Sequence, residues 1–107
     1  MSRVGHLSVA EASELIAQGK ADVVDIRDPA SFAAGHIAGA QRLDNANLAD
    51  YLARADRQRP LIVCCYHGNS SVPAAQYLLQ QGFGTVYSLD GGIDAWRFNH
   101  ALVADGG

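Results

Sequence analysis

The stretch Leu61-Ile62-Val63-Cys64-Cys65-Tyr66-His67-Gly68-Asn69-Ser70-Ser71 places an apolar run, a cysteine at its carboxyl end, a short polar loop and a helix start in direct succession. Five apolar residues bounded by Pro60 and a polar loop read as a buried strand over 61–65. A loop that closes on a helix amino terminus presents unpaired backbone N–H groups and the positive end of the helix dipole, so an anion placed there is stabilised. Cys65 stands at that place, and a thiolate is the anion it can supply.

Outward from this stretch, strand and helix signals alternate. A helix is predicted from Ser71 to Gln81, with Pro73 in its first turn and Gly82 as its left-handed stop. A strand over 85–89 follows, then an Asp90-Gly91-Gly92 turn and a short helix through Ile93, Trp96 and Arg97. Upstream, Pro60 ends a helix with Leu48, Tyr51 and Leu52 on its apolar face. Asn45 or Asn47 caps its start, and Arg54, Arg57 and Arg59 lie near or past its carboxyl end. A brief strand near 40–43 is entered through a turn between Gly35 and Gly39. Before that come Asp28 as a cap with Pro29 at the first helical position, a β-branched strand over 22–26, and a helix over 9–18. Ser8 and Glu11 start this first helix with the spacing of a capping box. The tail Asp105-Gly106-Gly107 is predicted to fray. Such alternation, with near-continuous apolar strands, predicts an α/β three-layer sandwich: a mainly parallel central sheet with helices on both faces. Ligands in these folds gather beyond the carboxyl ends of the strands, where Arg27, Cys65 and Asp90 all fall.

With 107 residues and 49% hydrophobic content, the chain is expected to form a single domain over 1–107. Its formal net charge of -3, without clustered Lys or Arg, gives no electrostatic footprint for nucleic acid or an anionic membrane. No basic leader precedes an apolar stretch, and no run approaches the ~18 apolar residues of a membrane span. A cytoplasmic location is the expectation. Cys64 and Cys65 would point to opposite faces of a strand, which disfavours a disulfide. They also match no zinc spacing, and His6, His36, His67 and His100 add no ligand pattern, so no metal site is expected.

A thiol becomes reactive when its pKa falls below ~8.5, as it does at helix amino termini or beside a cation. Cys65 has the first feature, and a protonated His67 turned inward would add the second. Cys64, ahead of the loop, reads as a small core residue. Gly68, Asn69, Ser70 and Ser71 suit an anion-binding nest, and equally an ordinary turn with a serine N-cap. Tyr66 and His67 either wall the pocket or touch substrate. Asp25, Arg27 and Asp28 read as a structural carboxylate–guanidinium group, His36 as a turn residue, and Trp96 as core with an indole N–H that needs one acceptor.

Four blocks in order, Val24-Asp25-Ile26-Arg27-Asp28-Pro29 with Phe32, Gly35-His36-Ile37-Ala38-Gly39-Ala40, Cys65 through Ser71, and Asp90-Gly91-Gly92-Ile93-Asp94-Ala95-Trp96, carry a resemblance to the single-domain rhodaneses over nearly the full length. The resemblance implies a rhodanese-like fold and a thiosulfate sulfurtransferase working without metal or organic cofactor. Cys65 would be the nucleophile, with Tyr66, His67, Gly68, Asn69, Ser70 and Ser71 around the substrate. Thiosulfate or a persulfide would be the donor, and cyanide or a small thiol or dithiol protein such as thioredoxin the acceptor. A sulfur-delivery module that takes a persulfide from a partner protein is the alternative. Many rhodaneses place an arginine five residues after the cysteine, where this chain has Ser70, and Val72-Pro73 brings no basic side chain. Cysteine phosphatases of related fold need an arginine six residues after the cysteine to grip phosphate. Ser71 stands there, which ranks phosphate chemistry below sulfur transfer.

Overall fold

The computed structural model describes residues 3–104, so the expectation for 105–107 lies outside the described residues. Ten elements follow one another: β1 Gly5–Leu7, α1 Val9–Ala17, β2 Asp22–Asp25, α2 Pro29–Ala34, β3 Gln41–Arg42, α3 Leu48–Arg54, β4 Leu61–Cys64, α4 Ser71–Gln80, β5 Val86–Leu89 and α5 Gly92–Trp96. The five strands form one sheet in the order β1-β5-β4-β2-β3, and every pairing in it is parallel.

The order follows from burial. β4 is the central strand and all four of its residues are buried, so it needs cover on both faces. Alternation along β4 sends Ile62 and Cys64 into one core with Leu7, Ala12, Leu89, Ile93 and Trp96, and Leu61 and Val63 into another with Tyr51, Ala75, Leu78 and Phe83. Helices α1 and α5 thus cover one face, and α3 and α4 the other. Burying each of Leu61, Ile62 and Val63 contributes about 1.5–3 kcal/mol. The chain passes from β2 and β3 on one side of β4 to β5 on the other, so the topological switch, where such sheets hold their ligands, lies at the carboxyl end of β4.

Local sequence accounts for most helix starts. Ser8 Oγ accepts from the Glu11 amide at 3.1 Å while Glu11 Oε1 accepts from the Ser8 amide at 3.0 Å, completing the capping box of α1. Asp28 caps α2, accepting from the Ser31 amide at 3.1 Å, with Pro29 in the first turn.

Four local expectations change. The three-residue edge strand β1 was not anticipated, because Gly5-His6-Leu7 is too short to show alternation. Asn47 stands at the N-cap of α3 but its side chain does not cap it. Asp44 Oδ1 accepts from the Ala46 and Asn47 amides, and Asn47 Oδ1 accepts from the Asp44 amide, so the loop closes on itself. The central strand ends at Cys64, one residue earlier than predicted. The Trp96 indole N–H is buried without a hydrogen-bond partner among the described residues, and the ring lies 4.5 Å from that of His100.

Candidate active site

Cys65 is the first residue past the central strand. Its side chain turns away from the core that holds Cys64 and into the loop that follows. Cys65 Sγ accepts the amide N–H of Gly68 at 3.1 Å and that of Ser71 at 3.3 Å. Gly68 has a φ of 92°, which aims its amide at the sulfur, and a Cβ there would meet the Gly91 nitrogen at 2.8 Å. Ser70 occupies the N-cap of α4 in a helical conformation and makes no side-chain cap bond, so the serine-cap reading fails. The sulfur of Cys65 accepts from the amide of Ser71, the first residue of the helix.

The Ser71 hydroxyl lies 3.3 Å from the sulfur, where it accepts from the thiol and can donate to the thiolate. It also lies 2.6 Å from the Ser88 hydroxyl on β5. Burial works to raise the Cys65 pKa, but the Ser71 hydroxyl, then the amides of Ser71, Gly68 and His67, outweigh it and hold the thiol below its ordinary value. Cys64 is the reverse case. Burial, reinforced by the charge of Asp25, pushes its thiol up.

The loop is held from two sides. From α5, the Ile93 amide donates to the Cys65 carbonyl at 2.9 Å and the Asp94 amide to the Tyr66 carbonyl at 3.1 Å. Gly92 permits this approach, since a Cβ there would stand 2.5 Å from the Cys65 carbonyl oxygen. From α2, the Tyr66 hydroxyl donates to the Asp28 carboxylate and lies 2.8 Å from Ser31 Oγ. These bonds, Tyr66 foremost, hold the Asp28 carboxyl well below the usual carboxylate range. Beneath, Arg27 donates to both Asp25 oxygens, the closest at 2.8 Å, and to the Gly35 carbonyl at 2.7 Å, while its guanidinium carbon lies 5.7 Å from the Tyr66 ring. Burial opposes the charge of Arg27, but Asp25 more than compensates and its pKa rises.

Of the six loop residues read as substrate-binding, Gly68 and Ser71 aim polar groups at the sulfur, and His67 does so through its backbone. The His67 ring faces outward, with Nδ1 2.7 Å from Asp94 Oδ2. Tyr66, Asn69 and Ser70 are exposed on the rim. Arg27 donates through Nε and Nη2 to Asp25 and Gly35, and Asp90 pairs with His6 at 3.1 Å; neither bonds the sulfur despite standing at strand ends. Sequence reasoning missed Ser88 and Asp94. A serine inside an apolar strand was the available signal for the first, whereas nothing local marked the second. A cleft of about 540 Å³ opens beside Tyr66, lined in part by Ser31, Asp94, Arg97 and His100. Another, of about 500 Å³, lies by Asp22 and Arg59, at the end of β2 away from the cysteine loop. Among the described residues no cluster of His, Cys, Asp or Glu could hold a metal ion, and no helix is long and apolar enough to cross a membrane.

A lowered thiol ringed by main-chain donors at the switch point of a parallel sheet is the arrangement that covalent chemistry at cysteine requires. The Rhodanese-like domain model matches residues 8–99, and the chain belongs to that family. It is 58% identical over 97 residues to the thiosulfate sulfurtransferase GlpE of Ectopseudomonas mendocina, covering 91% of this chain and 88% of that protein. To the protein of the same name from Pseudomonas fluorescens it is 51% identical over 107 residues, covering 100% and 97%. Among solved structures, a rhodanese-related protein from Thermoplasma volcanium superposes with a TM-score of 0.80 at 27% identity, covering 94% of this chain and 99% of the other.

Proposed function

We propose that this chain is a thiosulfate sulfurtransferase of one domain over 1–107, acting in the cytoplasm, with Cys65 as the sulfur carrier. The Cys65 thiolate attacks the outer sulfur of thiosulfate, and a Cys65 S–S bond forms. The S–S bond within thiosulfate breaks, and sulfite leaves with its electron pair. The product is an enzyme persulfide anion. An acceptor nucleophile, cyanide or a thiol such as that of thioredoxin, then bonds the outer sulfur and expels the Cys65 thiolate unchanged. The observation that carries this reading is the set of amides converging on Cys65 Sγ. The same donors can hold a thiolate before the first step and a persulfide after it, and neither step requires a metal or organic cofactor. The rim residues Tyr66, His67, Asn69 and Ser70 would contact substrate, with Gly68 and Ser71 beneath.

A delivery role, in which a partner's persulfide loads Cys65, is the second reading. It draws support from Ser70 and Val72, which leave His67 as the loop's single ionisable group beyond the thiol and Tyr66. Intact-mass spectrometry after mixing with thiosulfate tests both. One added sulfur atom on Cys65, released as thiocyanate by cyanide, is expected. A protein that thiosulfate leaves unloaded, and that a persulfide donor loads, overturns the first reading in favour of the second.

A further inference from the structure

On β5, Val86 and Ser88 face the same side, and Val86 packs with Ala75 and Leu78 of α4. Ser88 is fully buried there, where an apolar residue would avoid the cost of desolvating a hydroxyl. Its partner is Ser71, also fully buried, with the two oxygens 2.6 Å apart. Ser71 Oγ in turn lies 3.3 Å from Cys65 Sγ. The three side chains thus form a line from the middle layer of the fold to the reactive sulfur.

The line has two proton arrangements. With Cys65 protonated, its S–H donates to Ser71 and Ser71 donates to Ser88. With Cys65 ionised, the sulfur can only accept, so Ser71 turns its proton to the sulfur and its oxygen must accept from Ser88. A buried hydroxyl oxygen left without that second bond is a weaker donor and a costlier one. The other donors on Sγ are main-chain amides, which cannot reorient. The ionisable neighbours are Cys64 in the core, Tyr66, whose hydroxyl donates to Asp28 and whose ring lies 5.7 Å from the Arg27 guanidinium paired with Asp25, and the exposed pair of the loop's His67 with Asp94 of α5.

We propose that Ser88 is a positioning residue: by donating to Ser71 it turns the Ser71 hydroxyl onto Cys65 and stabilises the sulfur whenever that atom carries negative charge. Resting on the sulfur-transfer reading, this serves both the attacking thiolate and the thiolate expelled when the persulfide is discharged, with the S–S electron pair going to Sγ and no proton moved.

The test is the rate of Cys65 alkylation by iodoacetamide against pH, measured on the full chain for wild type, Ser88→Ala, Ser88→Thr, Ser71→Ala and the Ser71→Ala/Ser88→Ala double variant. Ser88→Ala should move the midpoint up by about half to one pH unit, slowing alkylation about 3–10-fold below it. Ser88→Thr, which keeps the hydroxyl, should restore the wild-type midpoint, and the double variant should match Ser71→Ala alone. Ser88→Cys, close in volume but a weak donor, replaces Ser88→Ala if thermal melts show that the latter is unfolded. A wild-type midpoint in the folded variant lacking the hydroxyl, or additive shifts in the double variant, overturns the proposal. Sulfur loading from thiosulfate is scored separately on wild type, so failure of the broader reading leaves the midpoint comparison intact.

Discussion

Cys64 and Cys65 are consecutive in the chain and opposite in chemistry. The sulfur of Cys65 accepts from the Gly68 and Ser71 amides and its thiol is lowered, whereas Cys64 is fully buried in a hydrocarbon core and its thiol is raised. One peptide unit separates the two environments because the strand ends between them: Cys64 is the last residue of β4 and faces the core, and Cys65 is the first residue of the loop.

Native protein at neutral pH should therefore take up one equivalent of iodoacetamide, at Cys65, and a second only when denatured. Cys65→Ser should lose all sulfur loading. Cys64→Ser should still load while losing about 1–3 kcal/mol of stability, because it buries a hydroxyl in an apolar site. Peptide mapping and urea titration read the two effects, and labelling of Cys64 in the folded protein would contradict the assignment.

The core of this site was readable because its signals are local. Pro60, the apolar run and Gly68 mark a strand, a loop and a helix start within a dozen residues, and cysteine at the bend names the chemistry. What was unreadable depends on register. Ser88 meets Ser71 only because β5 pairs with β4 in parallel with Val63 opposite Ser88. His67 finds Asp94, and Tyr66 finds Asp28, across contacts between elements that no spacing rule reports. β1 was invisible for the same reason: three residues become a strand only by pairing with β5. The expected serine cap on α4 failed because Ser70 is helical rather than extended, the Val72 amide already donates to the Asn69 carbonyl at 3.3 Å, and Pro73 has no N–H to offer.

The lowered Cys65 thiol has a signed consequence for stability. A group that loses its proton more readily in the folded state stabilises the fold fully above its unfolded value, and this contribution fades as the pH falls through the lower folded value. Urea midpoints of wild type and Cys65→Ala should accordingly diverge in favour of wild type as the pH rises from about 6 to about 10. A constant difference across that range would mean that the donors around the sulfur do not favour its charge.

Tyr66 and Asp28 tie the cysteine loop to α2, and the tie depends on an ionised carboxylate. Because the Asp28 carboxyl is depressed in the folded state, its contribution is complete above the ordinary value of 3.8 and is lost as the pH falls from there towards the depressed value. Tyr66→Phe should be less stable than wild type at neutral pH, and the two acid-unfolding curves should converge at low pH. Curves that stay parallel into strong acid would remove Asp28 from the explanation.

Gly92 is where α5 touches the backbone of the cysteine loop. Its φ of 61° disfavours a side chain, and a Cβ would stand 2.6 Å from the Tyr66 carbonyl carbon as well as 2.5 Å from the Cys65 oxygen. Neither obstacle is a flexible side chain, so the loop or the helix must move. Gly92→Ala should lower stability by about 2–4 kcal/mol and reduce Cys65 alkylation at neutral pH, as the amides lose their aim at the sulfur. Thermal melts and labelling rates read both effects, and a folded variant with wild-type labelling would show that the contact is slack.

Ser70 is exposed at the start of α4, where its side chain makes no cap bond, so it can be changed without breaking a bond that holds the loop. The loop offers thiosulfate, a dianion, main-chain donors and an imidazole engaged with Asp94, but no fixed cation. Ser70→Arg supplies one close to the sulfur. If thiosulfate is a substrate whose binding lacks a charge partner, this variant should lower its KM about 3–10-fold with kcat little changed, and the gain should shrink in about 0.5 M salt as screening sets in. Ser70→Gln, similar in reach but neutral, should show no gain. An uncharged small-molecule acceptor thiol should be indifferent to all three side chains in the second half-reaction, so a KM change confined to the donor places the missing charge at the thiosulfate step. An unchanged KM for thiosulfate in Ser70→Arg would instead mean that the main-chain donors alone set its affinity.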